Sequence, residues 1–295
     1  MSAGSVMPVK QMGSLVVWCL CLSVLAGCSS ITSSLTGRMS ESLASSILNS
    51  NDPETVRQGA PAYLLMIDGF ITDDPENPNV LMAGARLNAS YAGAFVDDDV
   101  RAKLMSLKAR DYGRTALCLS NKTTCGIWEE PYDQFETVIE ALGPKDIEPM
   151  YVAAMAWATW IQVNRDDWVA VADKARVEKM MLRVVALDEG YGRGSAHLYL
   201  GVLAALLPEA LGGKPEEGRR HFERSIELSG GRDLLAKVLL ARDYARMVFD
   251  REFHDRLCRE VLEADPKVEG LTLSNTMAQG EAKALLDDSQ DYFGE

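Results

Sequence analysis

The chain has 295 residues, and its 43 acidic side chains outnumber its 30 basic ones, giving a formal net charge of −13 at pH 7. This charge argues against a nucleic-acid-binding protein, because affinity for nucleic acid depends on Lys and Arg that neutralise phosphates. It also argues against electrostatic attraction to an anionic lipid surface.

The N-terminus has the pattern of a secretory signal peptide, predicted here over residues 1–27. Lys10 precedes an apolar run from Leu15 to Leu25, which is shorter than the roughly 20 residues that a membrane-spanning helix needs. The run ends in Leu-Ala-Gly-Cys, which resembles the bacterial lipobox. We therefore expect cleavage after Gly27 and lipidation of Cys28, with only the acyl chains holding the protein to the membrane. An ordinary secretory signal with a chance cysteine is the alternative.

Residues 28–40 are mostly small and polar, which predicts a flexible tether, and residues 41–295 predict an all-helical domain. Ser29 and Ser30 stand where the bacterial sorting pattern places an acidic residue to retain lipoproteins in the inner membrane. We therefore expect an anchor in the outer membrane, with the protein facing the periplasm.

Two cysteines of the predicted domain, Cys118 and Cys125, are seven positions apart in a short and largely polar stretch. A loop of this length can close into a disulfide in an oxidising compartment. Two free thiols are the alternative. Cys258 falls in an amphipathic helical pattern, which predicts a small buried apolar side chain.

Helical patterns follow one another along the rest of the chain, and no segment has a convincing strand pattern. The first helix begins near Pro53 and continues to Ile71, and Pro61 predicts a kink or a break in it. The second runs from about 77 to 95, and the third begins at the acidic residues 97–99. Further helices are predicted at 131–142, 145–164, 168–188, 195–208, 214–228, 232–249, 251–263 and 274–290.

Pairs of helices joined by short turns predict a TPR-like α-solenoid of helical hairpins. Gly218, Phe222 and Ser225 have the small–aromatic–small spacing of a second TPR helix, and Leu200-Gly201 matches the first. The repeats are degenerate, since Gly218 and Ser225 occupy positions where alanine is usual.

The C-terminal part of the chain contains several distinctive segments. They are PEALGG at 208–213, FERSIEL at 222–228, YARMVFD at 244–250 and NTMAQGEAKALL at 275–286. This succession resembles the T-component (TatT) family associated with TRAP transporters, most closely over residues 195–293. The resemblance implies a periplasmic lipoprotein with TPR-like repeats that assembles as a homotrimer. It also implies a periplasmic solute-binding protein as partner and a hydrophobic cavity for apolar ligands.

Two segments, 150–163 and 198–207, are apolar all round, which indicates burial on every side or exposure to a cavity. If they line a cavity for a hydrophobic ligand, the candidate lining residues are Trp157, Trp160, Met155, Leu203 and Leu206. Ordinary packing inside a solenoid core is the alternative explanation for the same pattern.

No pattern of catalytic residues emerges from the sequence. The three histidines stand singly on predicted helices, and Gly213-Lys214 lacks the hydroxyl residue and upstream glycine of a phosphate-binding loop. We therefore expect no enzyme activity, no metal and no cofactor. The sequence predicts a component that binds or passes on a hydrophobic or organic-acid ligand together with a TRAP solute-binding protein. A protein–protein scaffold of the outer membrane without a small ligand is the alternative.

Overall fold

The computed structural model describes residues 44–294, so the predicted signal peptide, Cys28 and the tether lie outside the described residues. Within this range the chain is all-helical and contains no strand. None of the described helices combines the length and the hydropathy needed to cross a membrane.

The α-helices are numbered in chain order, after a short helical segment at residues 44–48 that we call the N-terminal segment. They are α1 (Pro53–Asp73), α2 (Pro78–Phe95), α3 (Asp99–Ser120), α4 (Tyr132–Ala141), α5 (Ile147–Val163), α6 (Trp168–Ala172), α7 (Lys174–Leu187), α8 (Ser195–Ala204), α9 (Pro215–Leu228), α10 (Leu234–Leu239), α11 (Arg251–Glu263), α12 (Thr272–Asp287) and α13 (Ser289–Phe293).

Six of the thirteen helices begin where the sequence provides a side-chain N-cap. Asp52, Asn77, Asp98, Asp167, Asp233 and Asp250 each accept a hydrogen bond from a backbone N–H of the first turn. Such caps satisfy N–H groups that have no partner within the helix, which fixes where each helix starts.

The helices pack in two layers. Helices α2, α5, α8, α10 and α12 form an inner layer, and α3, α7, α9 and α11 form an outer layer. Each outer helix packs against the inner helices next to it in the chain, and α2 also contacts α5, α5 contacts α8, and α10 contacts α12.

Helices α10 and α12 of the inner layer run parallel. The buried amide of Asn275 accepts a hydrogen bond from the Leu234 N–H at 3.0 Å, which joins the first turns of the two helices. About two turns further along, Arg242 donates to Glu281 at 2.8 Å. Both pairs advance in the same direction along the two segments, which is the parallel arrangement.

Pro61 does not break the first helix, so of the predicted kink or break the break was wrong. Helix α1 continues from Pro53 to Asp73 with Pro61 inside it. A proline deprives the carbonyl four residues earlier, here that of Arg57, of its hydrogen bond. The Tyr91 hydroxyl of α2 donates to that carbonyl at 2.9 Å. This contact across the α1–α2 interface replaces the missing bond.

Two other predicted helices are interrupted. The segment 168–188 divides at Asp173 into α6 and α7, and the Asp173 carboxylate accepts a hydrogen bond from the Trp157 indole N–H at 3.1 Å. The segment 232–249 changes from α10 to a π-helix over Leu240–Ala245, so that the Arg246 N–H bonds to the Ala241 carbonyl. The π-turn carries Arg242, which faces the candidate site.

The loop between α8 and α9 contains the PEALGG segment and is folded tightly on itself. The Gly213 N–H donates to the Pro208 carbonyl, and the Lys214 N–H donates to the Ala204 carbonyl. A Cβ at position 213 would lie 1.6 Å from the Leu207 carbonyl oxygen, so only glycine fits there.

Candidate functional site

The inner layer, α1 and the N-terminal segment line a partly open cavity of about 800 Å³. Its wall is mostly apolar and takes residues from seven parts of the chain: 44, 47 and 48; 56, 60 and 63 of α1; 83–95 of α2; 155–162 of α5; 198–206 in and after α8; 235–242; and 273–281 of α12.

Helical periodicity explains which side of each inner helix faces the cavity. On α8 and just beyond it, Leu198, Val202 and Leu206 line the wall at intervals of four residues. On α12, Leu273, Met277 and Glu281 do the same. Residues four apart share one face of an α-helix, so each inner helix presents a stripe to the cavity and its opposite side to the outer layer.

The two ends of the described chain meet beside the cavity. Leu273 of α12 packs against an apolar cluster that includes Val56, Ala60 and Leu64 of α1. The Asn49 side chain, which follows the N-terminal segment, accepts a hydrogen bond from the Gly270 N–H at 2.7 Å. These contacts place the N-terminal segment and α1 over the space between the inner helices.

Three of the five predicted lining residues, Met155, Leu203 and Leu206, lie on the cavity wall. Trp157 and Trp160 are not among the residues that line the cavity. Trp157 is two residues from Met155, a rotation of about 200° around a helix, so the two side chains point in different directions.

Trp157 belongs to the packed core. Its side chain is 0% exposed, and its ring makes edge contacts with Trp128 and Phe135 at centroid distances of 5.5 and 6.4 Å. The Arg114 guanidinium of α3 lies 4.2 Å from its ring centroid. Trp160 is half-buried, and Arg110 of the same helix α3 lies 4.2 Å from its ring centroid. Both tryptophans therefore join α5 to its neighbours.

Of the described residues that line the cavity, three are charged, and two of them bind one another. Arg242 donates to Glu281 at 2.8 Å and also to Asp243 at 2.6 and 2.9 Å. Burial disfavours the charged guanidinium, but the hydrogen bond with Asp243 and the charges of both carboxylates outweigh it and raise the pKa of Arg242. Arg242 is therefore a fixed and neutralised cation.

The third charged lining residue, Arg86 of α2, is also paired. Its guanidinium donates to Glu148 in the first turn of α5 at 2.9 Å and lies 5.9 Å from the Tyr151 ring centroid. Tyr199 lines the cavity nearby and makes an edge contact with Tyr151. Burial raises the pKa of Tyr199 well above its usual value, so its phenol is neutral.

The contributions of α1, α2 and α12 to the wall were not predicted from the sequence. Helix α2 is rich in small residues, and Ala83, Ser90 and Ala94 line the cavity without a conspicuous apolar run. The sequence pattern that could have indicated these residues is the repeated four-residue spacing on α2 and α12. This spacing shows that the residues share one face of a helix, but it does not show whether that face contacts a neighbouring helix or a cavity.

The three cysteines within residues 44–294 lie away from the cavity wall. Cys118 and Cys125 form a disulfide in the structure, with their sulfur atoms 2.01 Å apart, and it links the end of α3 to the following turn. Cys258 is free and buried, and burial raises the pKa of its thiol to about 11.

Two histidines that stand apart in the sequence meet between α8 and α9. The Nδ1 atoms of His197 and His221 are 2.8 Å apart, and the Nε2 atom of His197 lies 3.3 Å from Glu189. Burial lowers the pKa of both imidazoles. Within residues 44–294, no group of three or more His, Cys, Asp or Glu side chains is arranged to hold a metal ion.

The family model of the TRAP transporter T-component matches residues 49–293. No curated protein matches the sequence. The matched range includes every part of the cavity wall except the N-terminal segment.

Proposed function

The chain belongs to the TRAP transporter T-component family, and we propose that it serves a TRAP-type transport system as a lipid-anchored binding component. In this proposal the protein holds a hydrophobic ligand in the cavity and exchanges it with a periplasmic solute-binding protein. The family is a transporter component and not an enzyme class.

The cavity is the observation that carries the proposal. Its volume of about 800 Å³ falls within the range of about 300–1,000 Å³ that is typical of small-molecule sites. Aliphatic side chains such as Leu198, Val202 and Leu239 form much of its wall. An apolar occupant would cover this apolar wall from water, and burial of apolar surface is favourable.

A TPR-like arrangement is part of the proposal. Alternating inner and outer helices that contact mainly their chain neighbours are typical of such solenoids. In a TPR-like solenoid the inner helices line a concave surface, and here the N-terminal segment and α1 would close that surface into a cavity.

Assembly as a homotrimer is likewise proposed, on the basis of the family resemblance. Val100 and Leu104, one turn apart on α3, are 68% and 64% exposed, and Leu65 of α1 is 75% exposed. Exposed apolar side chains of this kind are suited to contact with a second copy of the chain. Light scattering of the mature protein tests this, and a monomer at micromolar concentration would contradict it.

The proposed cellular location of the protein is based on the lipobox-like sequence. We propose that residues 1–27 are removed, that Cys28 carries the lipid, and that residues 41–295 form the periplasmic domain on the outer membrane. Replacing the cysteine, Cys28→Ser, should release the protein from the outer-membrane fraction. Unchanged fractionation of this variant would contradict the anchor.

Solvent extraction of the purified protein, followed by mass spectrometry, tests ligand binding. We expect a co-purified apolar compound at close to one per chain. In Leu206→Trp the added indole would occupy the cavity, so the compound should be lost. Leu182→Trp is the matched control, because Leu182 is on α7, is exposed and is not part of the wall. A cavity that is empty in the wild-type protein would instead favour the scaffold function.

A further inference from the structure

We infer that the ligand of this cavity is an electrically neutral amphiphile, such as a long-chain alcohol or ester, and not a carboxylate anion. This inference rests on the proposed function and names the chemical class of the ligand. It follows from the state of the charged groups in the wall.

An anionic head group in a cavity needs a cation that is free to bind it. Burying an ionised carboxylate without a partner costs far more than burying a neutral polar group. Among the described residues of the wall, the only cations are Arg86 and Arg242, and the only acid is Glu281. Each arginine already has a carboxylate within hydrogen-bond distance.

Arg242 cannot bind a ligand anion without breaking an ion pair that it makes within the protein. It bridges Asp243 and Glu281, whose side chains are only 20% and 33% exposed. If its guanidinium moved to a ligand carboxylate, one of these acids would lose its partner in a partly buried position, which is unfavourable. The positive charge of Arg242 is therefore used in ion pairs with Asp243 and Glu281 and is not free to bind a ligand anion.

Arg86 is held by two kinds of contact, an ion pair and a cation–π contact. Besides its ion pair with Glu148, its guanidinium lies over the Tyr151 ring, which is itself packed against Tyr191 and Tyr199. Moving the guanidinium into the cavity would give up both contacts.

The wall does offer partners for a neutral polar head. Ser90, Thr159, Gln162 and Ser274 line it with hydroxyl and amide groups. The Thr159 and Ser274 hydroxyls donate to the backbone carbonyls of Met155 and Leu271, and their oxygens can still accept a hydrogen bond. Together with the Gln162 amide, which donates and accepts, these uncharged groups suit the hydroxyl of an alcohol or the carbonyl of an ester. The apolar remainder of the wall suits an alkyl chain.

The test compares two ligands that differ only in the head group. Dodecan-1-ol and dodecanoate compete at pH 8, where the acid is ionised, for an environment-sensitive naphthylamine dye bound to the protein. We expect the alcohol to displace the dye with an affinity at least tenfold higher. Equal or tighter binding of dodecanoate would overturn the inference while leaving the proposed function intact. Displacement by neither ligand would overturn the proposed function, and the inference with it.

A pair of variants tests the reason for the preference. Glu281→Gln removes one of the two carboxylates that hold Arg242, which leaves the guanidinium more able to bind an anion. The affinity for dodecan-1-ol divided by that for dodecanoate should therefore fall at least threefold. Glu260→Gln is the matched control, because Glu260 binds Lys237 at 2.7 Å and is not part of the wall. A ratio that is unchanged in Glu281→Gln would overturn the account.

Discussion

The two sides of α8 are packed differently although both are apolar. On the side toward α9, Gly201 lies against the fully buried ring of Phe222, and a Cβ at position 201 would be 2.7 Å from the ring carbons. On the opposite side, Tyr199, Leu203 and Leu206 line the cavity. Close packing on one side and open volume on the other distinguish the structural core from the candidate site. Amino-acid composition does not, since both sides belong to one apolar run.

The largest effect is expected on the packed side. Gly201→Val would force methyl groups into the Phe222 ring, and overpacking of this kind costs about 3 kcal/mol of unfolding free energy. The matched control is Gly59→Val, since Gly59 is exposed in α1 and has no atom within 4 Å of an added Cβ. It should change stability by less than about 0.5 kcal/mol. Urea unfolding followed by circular dichroism measures both, and similar stabilities would show that the α8–α9 contact is not close-packed.

The disulfide provides a second test of the separation between core and site. It closes a short loop at the end of α3, so replacing both cysteines, Cys118→Ser with Cys125→Ser, should cost about 2.5 kcal/mol of unfolding free energy. Because neither cysteine belongs to the wall, dye binding in the cavity should be unchanged. A variant as stable as the wild type, or one that loses dye binding, would contradict this separation.

The smallest effect is expected from the two histidines between α8 and α9. Burial lowers the pKa of both His197 and His221. The positive charge of Arg224 lowers the pKa of His197 further, and charge on His197 lowers the pKa of His221. As the pH falls below about 6.5, the usual histidine pKa, the unfolded chain therefore binds protons before the folded chain does. The histidine contribution to stability is complete above pH 6.5 and declines below it.

The measurement for this pair is the urea midpoint at pH 7.5 and at pH 5.5. The wild-type midpoint should fall at the lower pH, and His221→Gln should fall by less, because it removes one of the two groups that resist protonation. If the urea midpoints of the two proteins fall equally, the buried histidine pair does not contribute to the pH dependence of stability.

Features of the fold that depend on neighbouring residues could be predicted from the sequence, whereas features that depend on distant contacts could not. The all-helical fold followed from periodicity and N-cap residues, which act locally. The continuity of α1 across Pro61 did not, because the compensating hydroxyl of Tyr91 comes from another helix. The division at Asp173 also involves a distant partner, Trp157.

The same limit applies to the candidate site. Of the residues predicted from the apolar segments 150–163 and 198–207, Met155, Leu203 and Leu206 lie on the cavity wall. Trp157 lies in the packed core. The size and aromatic character of a side chain do not indicate its direction. Its direction is set by Trp128, Phe135 and Arg114, which are distant in the sequence.

A crystal structure with a heavy-atom ligand tests the central claim, that the open side of the inner layer is a ligand site, most directly. Crystals grown with 12-bromododecan-1-ol would be measured at the bromine absorption edge. The account predicts an anomalous peak within the cavity, between α5 and α12, which is absent in Leu206→Trp and present in Leu182→Trp. A peak confined to the protein surface or to the neighbourhood of Trp157 and Trp160, or no peak at all, would contradict it.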